Sequence, residues 1–369
     1  MMAAKDDIFG SVCIDLIRRG FDWKSVEYYC EHKPSIIKLT RTSGNNTILH
    51  EVCNVGSAPI HVIEKILSVC GLATNVQNKY GDTPLHVATR AAQRSSNKVK
   101  LLMEFNPSAL LIKNNTGYSP LATAIVSRAF LPVIQMIAEK EPSLLLAEDE
   151  NNRSPVQLLI SSFQKNIPGS LALRSYLKDG LMRNILRGFW TKLQYLLMRT
   201  YERKLGKNFG SIDNSMICHA ILAEGIKGES LKQVLAIALS IDRTHALQVE
   251  AEFGKCPLHI LAKQKEFIAA KEVLKRCPDA VMVKDFRGRL PLHIAMNRDA
   301  IQRSESVKEK EKWGINVANF VSANPEALEC QDTCGATIGF YPFMIAAVEE
   351  DLQLTFDMLL GNPGVIVIN

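Results

Sequence analysis

The residues best suited to chemistry in this chain are histidines and cysteines. His86 stands in GDTPLHVATRAA, residues 81–92, beside Thr83 and a turn glycine. Cys256 stands three residues before His259 in GKCPLHILA, a spacing at which one helical turn can bring a thiol to an imidazole base. A working nucleophile–base pair also needs a third group to orient the imidazole, and the sequence around Cys256 offers none. Cys330 and Cys334 are one close thiol pair, but zinc takes four ligands and no further Cys or His follows at a suitable spacing. The sequence has no phosphate loop, dinucleotide fingerprint, His-Glu-x-x-His helix, Gly-x-Ser-x-Gly elbow or kinase signature. The expectation is therefore a non-catalytic chain with no catalytic residue, no metal site and no cofactor.

The neighbourhood of His86 is repeated along the chain, which changes its meaning. Beside Thr83-Pro84-Leu85-His86 stand Thr47-Ile48-Leu49-His50, Ser119-Pro120-Leu121-Ala122, Ser154-Pro155-Val156-Gln157, Cys256-Pro257-Leu258-His259 and Leu290-Pro291-Leu292-His293. The prolines advance by 36, 35, 102 and 34 residues. Pro107, Pro142 and Pro278 each lie 13 residues before a proline of the first series, after an amphipathic run and before a short apolar echo (SALLI, SLLLA, DAVMV). In this frame a histidine recurs at one register as His50, His86, His219, His259 and His293. A catalytic base is needed once, whereas a residue repeated in register serves every unit alike, so these imidazoles are expected to hold structure.

The elements that position them follow from local chemistry. Thr or Ser before Pro starts a helix: the hydroxyl caps free N–H groups, and proline at the first helical position gives up a donor that had no partner. Gly81, Gly117, Gly254 and Gly288 precede these starts and suit a tight turn at positive φ. Seven repeats begin at His50, His86, Ala122, Gln157, His219, His259 and His293, with a terminal unit at Phe343 and a partial unit over 11–32. In this pattern the chain resembles the ankyrin-repeat family, whose units run from a turn glycine through Thr-Pro-Leu-His-x-Ala into two antiparallel helices and a protruding finger. GDTPLHVA, GKCPLHILA and GRLPLHIA carry the resemblance most specifically. It departs where Pro-x-Ala/Leu replaces the usual Gly-Ala after the second helix, and where Ala122, Gln157 and Met344 replace histidine. The resemblance implies that the histidine side chain bridges loops by hydrogen bonds, worth about 1 kcal/mol each.

Between Gln157 and His219 the repeat is broken. Residues 174–207 hold nine bases against two acids and account for the whole net charge of +6. Leu186, Phe189, Trp190, Leu193, Leu196, Leu197 and Tyr201 recur at helical spacing, while Arg183, Arg187, Lys192, Arg199 and Arg203 fall mostly off that stripe. This predicts a basic amphipathic helix whose stripe packs on the repeats, with anionic lipid or an acidic protein as the alternative target of its cations. Nucleic acid ranks last, because Gly-rich or aromatic-stacking modules are missing. A second charged stretch, 298–312, has five bases against four acids and is read as a solvated helix.

The expected fold is all-α: an ankyrin-repeat solenoid of stacked helix-turn-helix units, interrupted by the basic helical insertion. The expected domains are N-terminal capping helices over 1–40, repeats over 41–160, the insertion over 161–212, and repeats with a C-terminal cap over 213–369. No run of 18 apolar residues exists, and the MMAAKDDIFG start lacks the features of a signal peptide, so a transmembrane segment is not expected. Nine cysteines scattered among Leu, Val and Ile fit reduced thiols, and a cytoplasmic location, with nuclear entry not excluded, is the expectation. The resemblance implies another protein as partner, held on a finger side whose candidate contacts flank the turn glycines: Tyr80, Asp82, Tyr118, Arg153, Phe253, Lys255, Phe286 and Arg289. Asp149, Glu150 and Asp285 fall in the same loops and are read as solubilising acids. The alternative function is a peripheral adaptor that uses the basic helix at 181–205 on an anionic membrane or acidic protein surface.

Overall fold

The computed structural model describes residues 23–35, 42, 44–91, 96–164, 180–206, 214–296, 317–333 and 340–342, together with Met344 and Thr355. Regular structure among them is helical. The N-terminal part of the partial unit over 11–32, the whole second charged stretch and most of the Phe343 unit lie outside the described residues. The chain divides into two compact units, Met1–Leu196 and Leu197–Asn369.

The first unit holds α1 (Trp23–His32), α2 (Ile48–Asn54), α3 (Ile60–Cys70), α4 (Pro84–Ala91), α5 (Asn97–Phe105), α6 (Pro120–Val126), α7 (Leu131–Lys140) and α8 (Pro155–Gln164). The short helices α2, α4, α6 and α8 start at the expected register and pack in series, each on the next. Their starts are capped as the sequence requires: the Ser119 hydroxyl accepts the Ala122 N–H at 3.3 Å, and Thr47 and His50 form a reciprocal capping box. Leu49, Leu85, Leu121 and Val156 are completely or almost completely buried in this row, with the small Ala88 and Ala124 letting the helices approach. Pro107 and Pro142 end the second helices and open 3₁₀ turns, Pro107–Leu111 and Pro142–Leu146, whose Ala109, Leu110, Leu144 and Leu145 fill the core. The apolar echoes of the sequence are these turns.

The second unit repeats the plan with α10 (Ile217–Ala223), α11 (Gly228–Ile241), α12 (Pro257–Lys263), α13 (Phe267–Arg276) and α14 (Pro291–Met296). Here α10, α12 and α14 form the packed series of first helices, and α11 lies against α13. Leu258 and Leu292 are fully buried. In the sequence, α9 (Gly180–Lys204) falls between α8 and α10, and Phe189, Leu193, Leu196 and Leu197 of the expected stripe are buried.

Backbone conformation explains the turn glycines. Gly81, Gly117, Gly254 and Gly288 have φ of 74°, 71°, 69° and 69°, the left-handed region that L side chains avoid. Asn45 and Asn152 take the same register at φ of 58° and 55°, and asparagine is among the few other residues that tolerate it.

Candidate functional site

Each recurring histidine is anchored at both ring nitrogens or at one. In the first unit the Thr83 backbone N–H donates to His86 Nδ1 at 3.2 Å, with the Thr83 hydroxyl 2.8 Å from the same nitrogen. A backbone amide can only donate, so Nδ1 carries no hydrogen and the Nε2–H donates to the Tyr118 carbonyl at 2.9 Å. His50 repeats this with the Thr47 N–H (3.1 Å) and the Asp82 carbonyl (2.9 Å). In the second unit His259 takes the Cys256 N–H at 3.2 Å and donates to Arg289 at 2.8 Å. His293 takes the Leu290 N–H at 3.1 Å and lies 3.1 Å from the Phe340 carbonyl. His219 keeps the outgoing bond, 2.9 Å to Lys255. The donor shared by His50, His86, His259 and His293 is thus a main-chain N–H, which is why Cys256 and Leu290 can stand where Thr47 and Thr83 do.

The electrostatics agree with a neutral ring. Burial, the largest influence in each case, holds the pKa of His86, His219 and His293 below the ordinary histidine value and pushes His259 down to about 4. Burial likewise drives the Cys256 thiol up to about 11, although its Sγ is only 3.0 Å from His259 Nδ1. A thiol held protonated beside an imidazole already bonded at both nitrogens is poorly prepared for nucleophilic attack. Cys330 is a free, half-buried thiol, and Cys334 lies outside the described residues.

Asn or Asp side chains fold four of the fingers. Asn78 Oδ1 accepts the N–H groups of Tyr80 and Asp82, and Asn114 Oδ1 those of Thr116 and Tyr118. Asp149 Oδ1 does so for Asn151 and Arg153, and Asp285 Oδ1 for Arg287 and Arg289. Neighbouring fingers join through the main chain: Asn115 N–H to Tyr80 O at 3.1 Å, and Phe286 N–H to Phe253 O at 3.0 Å. Close approach adds to the demand for glycine, since a Cβ on Gly117 would sit 2.7 Å from the Glu150 backbone nitrogen. The solubilising role expected of Asp149 and Asp285 gives way to this one. Both are buried, and burial alone would raise their carboxyls. The guanidinium groups of Arg153 and Arg289, with the turn N–H groups, outweigh it and hold them below the usual range.

Residues 49–147 match the family model for ankyrin repeats, in three copies. This stretch is a set of ankyrin repeats. No curated protein matches the chain. Ankyrin repeats generally mediate protein–protein interaction and are typically non-catalytic.

Within the ankyrin fingers the eight candidate contact residues separate into two groups. Tyr80, Phe253 and Phe286 present 60%, 46% and 67% of their surface to solvent. Lys255 is half-buried with its Nζ 4.4 Å over the Phe253 ring. Tyr118 is half-buried, and its hydroxyl accepts from Arg153 at 3.3 Å. Asp82, by contrast, is buried and ion-paired with Arg90 at 2.6 Å. Arg153 and Arg289 are turned inward onto Asp149 and Asp285 at 2.7 and 2.9 Å. Those three side chains are engaged in the fingers' own structure.

The cations of α9 are also unequal. Arg187 and Arg203 are exposed, Arg199 is 2.8 Å from Glu202, and half-buried Lys192 is lowered in pKa by burial and then by Arg128. The side chain of Arg183 lies outside the described residues.

Sequence reasoning missed one buried cation. Lys98, on α5, is 3% exposed and donates its Nζ to the carbonyls of Val52 (3.3 Å) and Val55, closing the C-terminal end of α2. Burial, the dominant cause, lowers its pKa.

Proposed function

We propose that the chain is a non-catalytic scaffold that holds a partner protein on the finger side of its ankyrin repeats. The observation that carries this reading is the exposure of Tyr80, Phe253 and Phe286 at finger tips whose backbone N–H groups are held by the side chains of Asn78, Glu250 and Asp285. Aromatic side chains fixed in advance lose little entropy on binding and are favoured anchors at protein interfaces. Free, buried thiols at Cys53, Cys218 and Cys256 support work in a reducing compartment, the cytoplasm. We read residues 161–212 as an insertion between repeat blocks 41–160 and 213–369, after capping helices over 1–40. The test is affinity capture from native extract, comparing wild type with a Tyr80→Ala, Phe253→Ala, Phe286→Ala variant. Loss of specific partners from the variant is expected, and equal recovery of every partner removes the reading.

Exposure of Arg187 and Arg203 supports a second reading, in which α9 meets an anionic membrane or acidic protein surface. It differs in its salt response, since contacts made by exposed cations are screened while aromatic contacts persist. Co-sedimentation with anionic vesicles that is lost on Arg187→Gln with Arg203→Gln would favour it; co-sedimentation unchanged by those substitutions would remove it.

A further inference from the structure

The fingers of the second unit carry a charge imbalance that those of the first unit do not. Phe253 and Phe286 are neighbours, tied by the Phe286 N–H to Phe253 carbonyl bond at 3.0 Å. The Phe286 ring lies on the bare backbone of the preceding turn, where a Cβ on Gly254 would come within 2.7 Å of its Cε1. Both rings are therefore seated before any partner arrives.

The acids beside these rings are already committed. Asp285 is buried under the Arg287 and Arg289 amides and the Arg289 side chain. Glu250 accepts the N–H groups of Glu252, Phe253 and Lys255. Lys255 lies over the Phe253 ring, and exposed Lys284 and Arg287 flank Phe286 in sequence. None of these three cations pairs with a carboxylate among the described residues, and Glu252 is the exposed acid set against them. In the first unit Tyr80 has Lys79 at 4.9 Å from its ring, and the fingers of that unit also carry the exposed acids Glu148 and Glu150.

We propose that the Phe253–Phe286 finger pair of the second unit docks an acidic polypeptide segment that also carries apolar side chains, an inference that rests on the finger-side reading of function. The rings supply apolar area at little entropic cost. The unmatched cations around them favour Asp or Glu beside each apolar contact and repel basic segments.

The experiment pans a displayed pool of random peptides against the full chain and measures the recovered peptides by fluorescence anisotropy. Expected are peptides that combine acids with apolar residues. They should weaken about tenfold or more on Phe286→Ala, and lose affinity on Lys255→Glu with Arg287→Glu. All three positions face solvent or lie half-buried, and a thermal melt of each variant confirms that the fold is retained. Recovered peptides without an acidic bias, or with affinity unchanged in both variants, overturn the proposal. Peptides that depend on Tyr80 but not on Phe286 also overturn it while leaving the finger-side reading standing. A pool that yields no peptide dependent on any finger side chain removes both.

Discussion

His86 Nε2 lies 2.9 Å from the carbonyl oxygen of Tyr118, which belongs to the next finger along the chain. The same bond recurs from His50 to Asp82, His259 to Arg289 and His219 to Lys255. Each imidazole thus ties the start of one helix to the turn that begins the following repeat. A repeat that buries its faces only against its neighbours is stabilised through such links, and losing one is felt in two units at once.

The bonds at each histidine differ in number, which gives a graded expectation. His259→Ala removes the acceptor for the Cys256 N–H and the donor to Arg289, and should cost about 1–3 kcal/mol. His219 has the bond to Lys255 but no partner for Nδ1 among the described residues, so His219→Ala should cost less. Urea unfolding midpoints of the two variants check the order; an equal or reversed cost would contradict it.

Acid should act on the same links. The folded-state pKa of His86, His219, His259 and His293 lies below the ordinary value of 6.5, so the unfolded chain takes up protons first as the pH falls. Their contribution is complete above pH 6.5 and is lost below it, down to about pH 4 for His259. Asp149 and Asp285, lowered from 3.8, lose theirs only as the pH falls further through their folded values. Melting temperature recorded against pH should begin to decline below pH 6.5, and less steeply in His259→Gln. A flat profile between pH 7 and pH 5 would contradict this.

Core leucines of the first helices should be costly to truncate. Leu85 is 1% exposed and Leu292 fully buried, and either change to Ala should cost about 2–5 kcal/mol. Hydrogen exchange should show the adjacent repeats loosening first, because stability is a sum of neighbour contacts. A melt unaffected by either substitution would be inconsistent with this packing.

Arg128 and Lys265 end the first helices at φ of 60° and 58°, a conformation that costs a residue with a Cβ roughly 1–2 kcal/mol. Gly225 occupies the matching place after α10 at φ of 67°. Arg128→Gly or Lys265→Gly should therefore raise the melting temperature slightly, the gain being reduced by the greater freedom of glycine in the unfolded chain. A clear loss of stability in both variants would show that the side chains matter more than the strain.

Much of this structure is written locally. Pro84, Pro120, Pro257 and Pro291 mark helix starts because proline suits the first helical position, and the glycines three residues before them mark turns that only a few residue types can make. Asn45 and Asn152 occupy that turn position without announcing it, since asparagine is also common in ordinary loops. Arg128 and Lys265 give no signal at all, because neither favours positive φ. Long-range partners were less legible. Nothing in the α5 sequence says that Lys98 reaches the carbonyls of α2, and the burial of Asp82 depends on Arg90 and Asn114 closing over it. One clue was available: Asp149 and Arg153, like Asp285 and Arg289, stand four residues apart across a turn, the spacing at which their ion pairs form. That spacing separates the arginines spent inside the fingers from Arg287, which remains outside.

The tautomer of the recurring histidines tests this account most directly, because an Nδ1 that accepts a main-chain N–H carries no hydrogen, which leaves a neutral ring that staples the next finger through its Nε2–H. Nitrogen-15 NMR of the labelled chain at neutral pH should show His50, His86, His259 and His293 as neutral Nε2–H imidazoles. Cationic rings, or rings carrying the hydrogen on Nδ1, would contradict it.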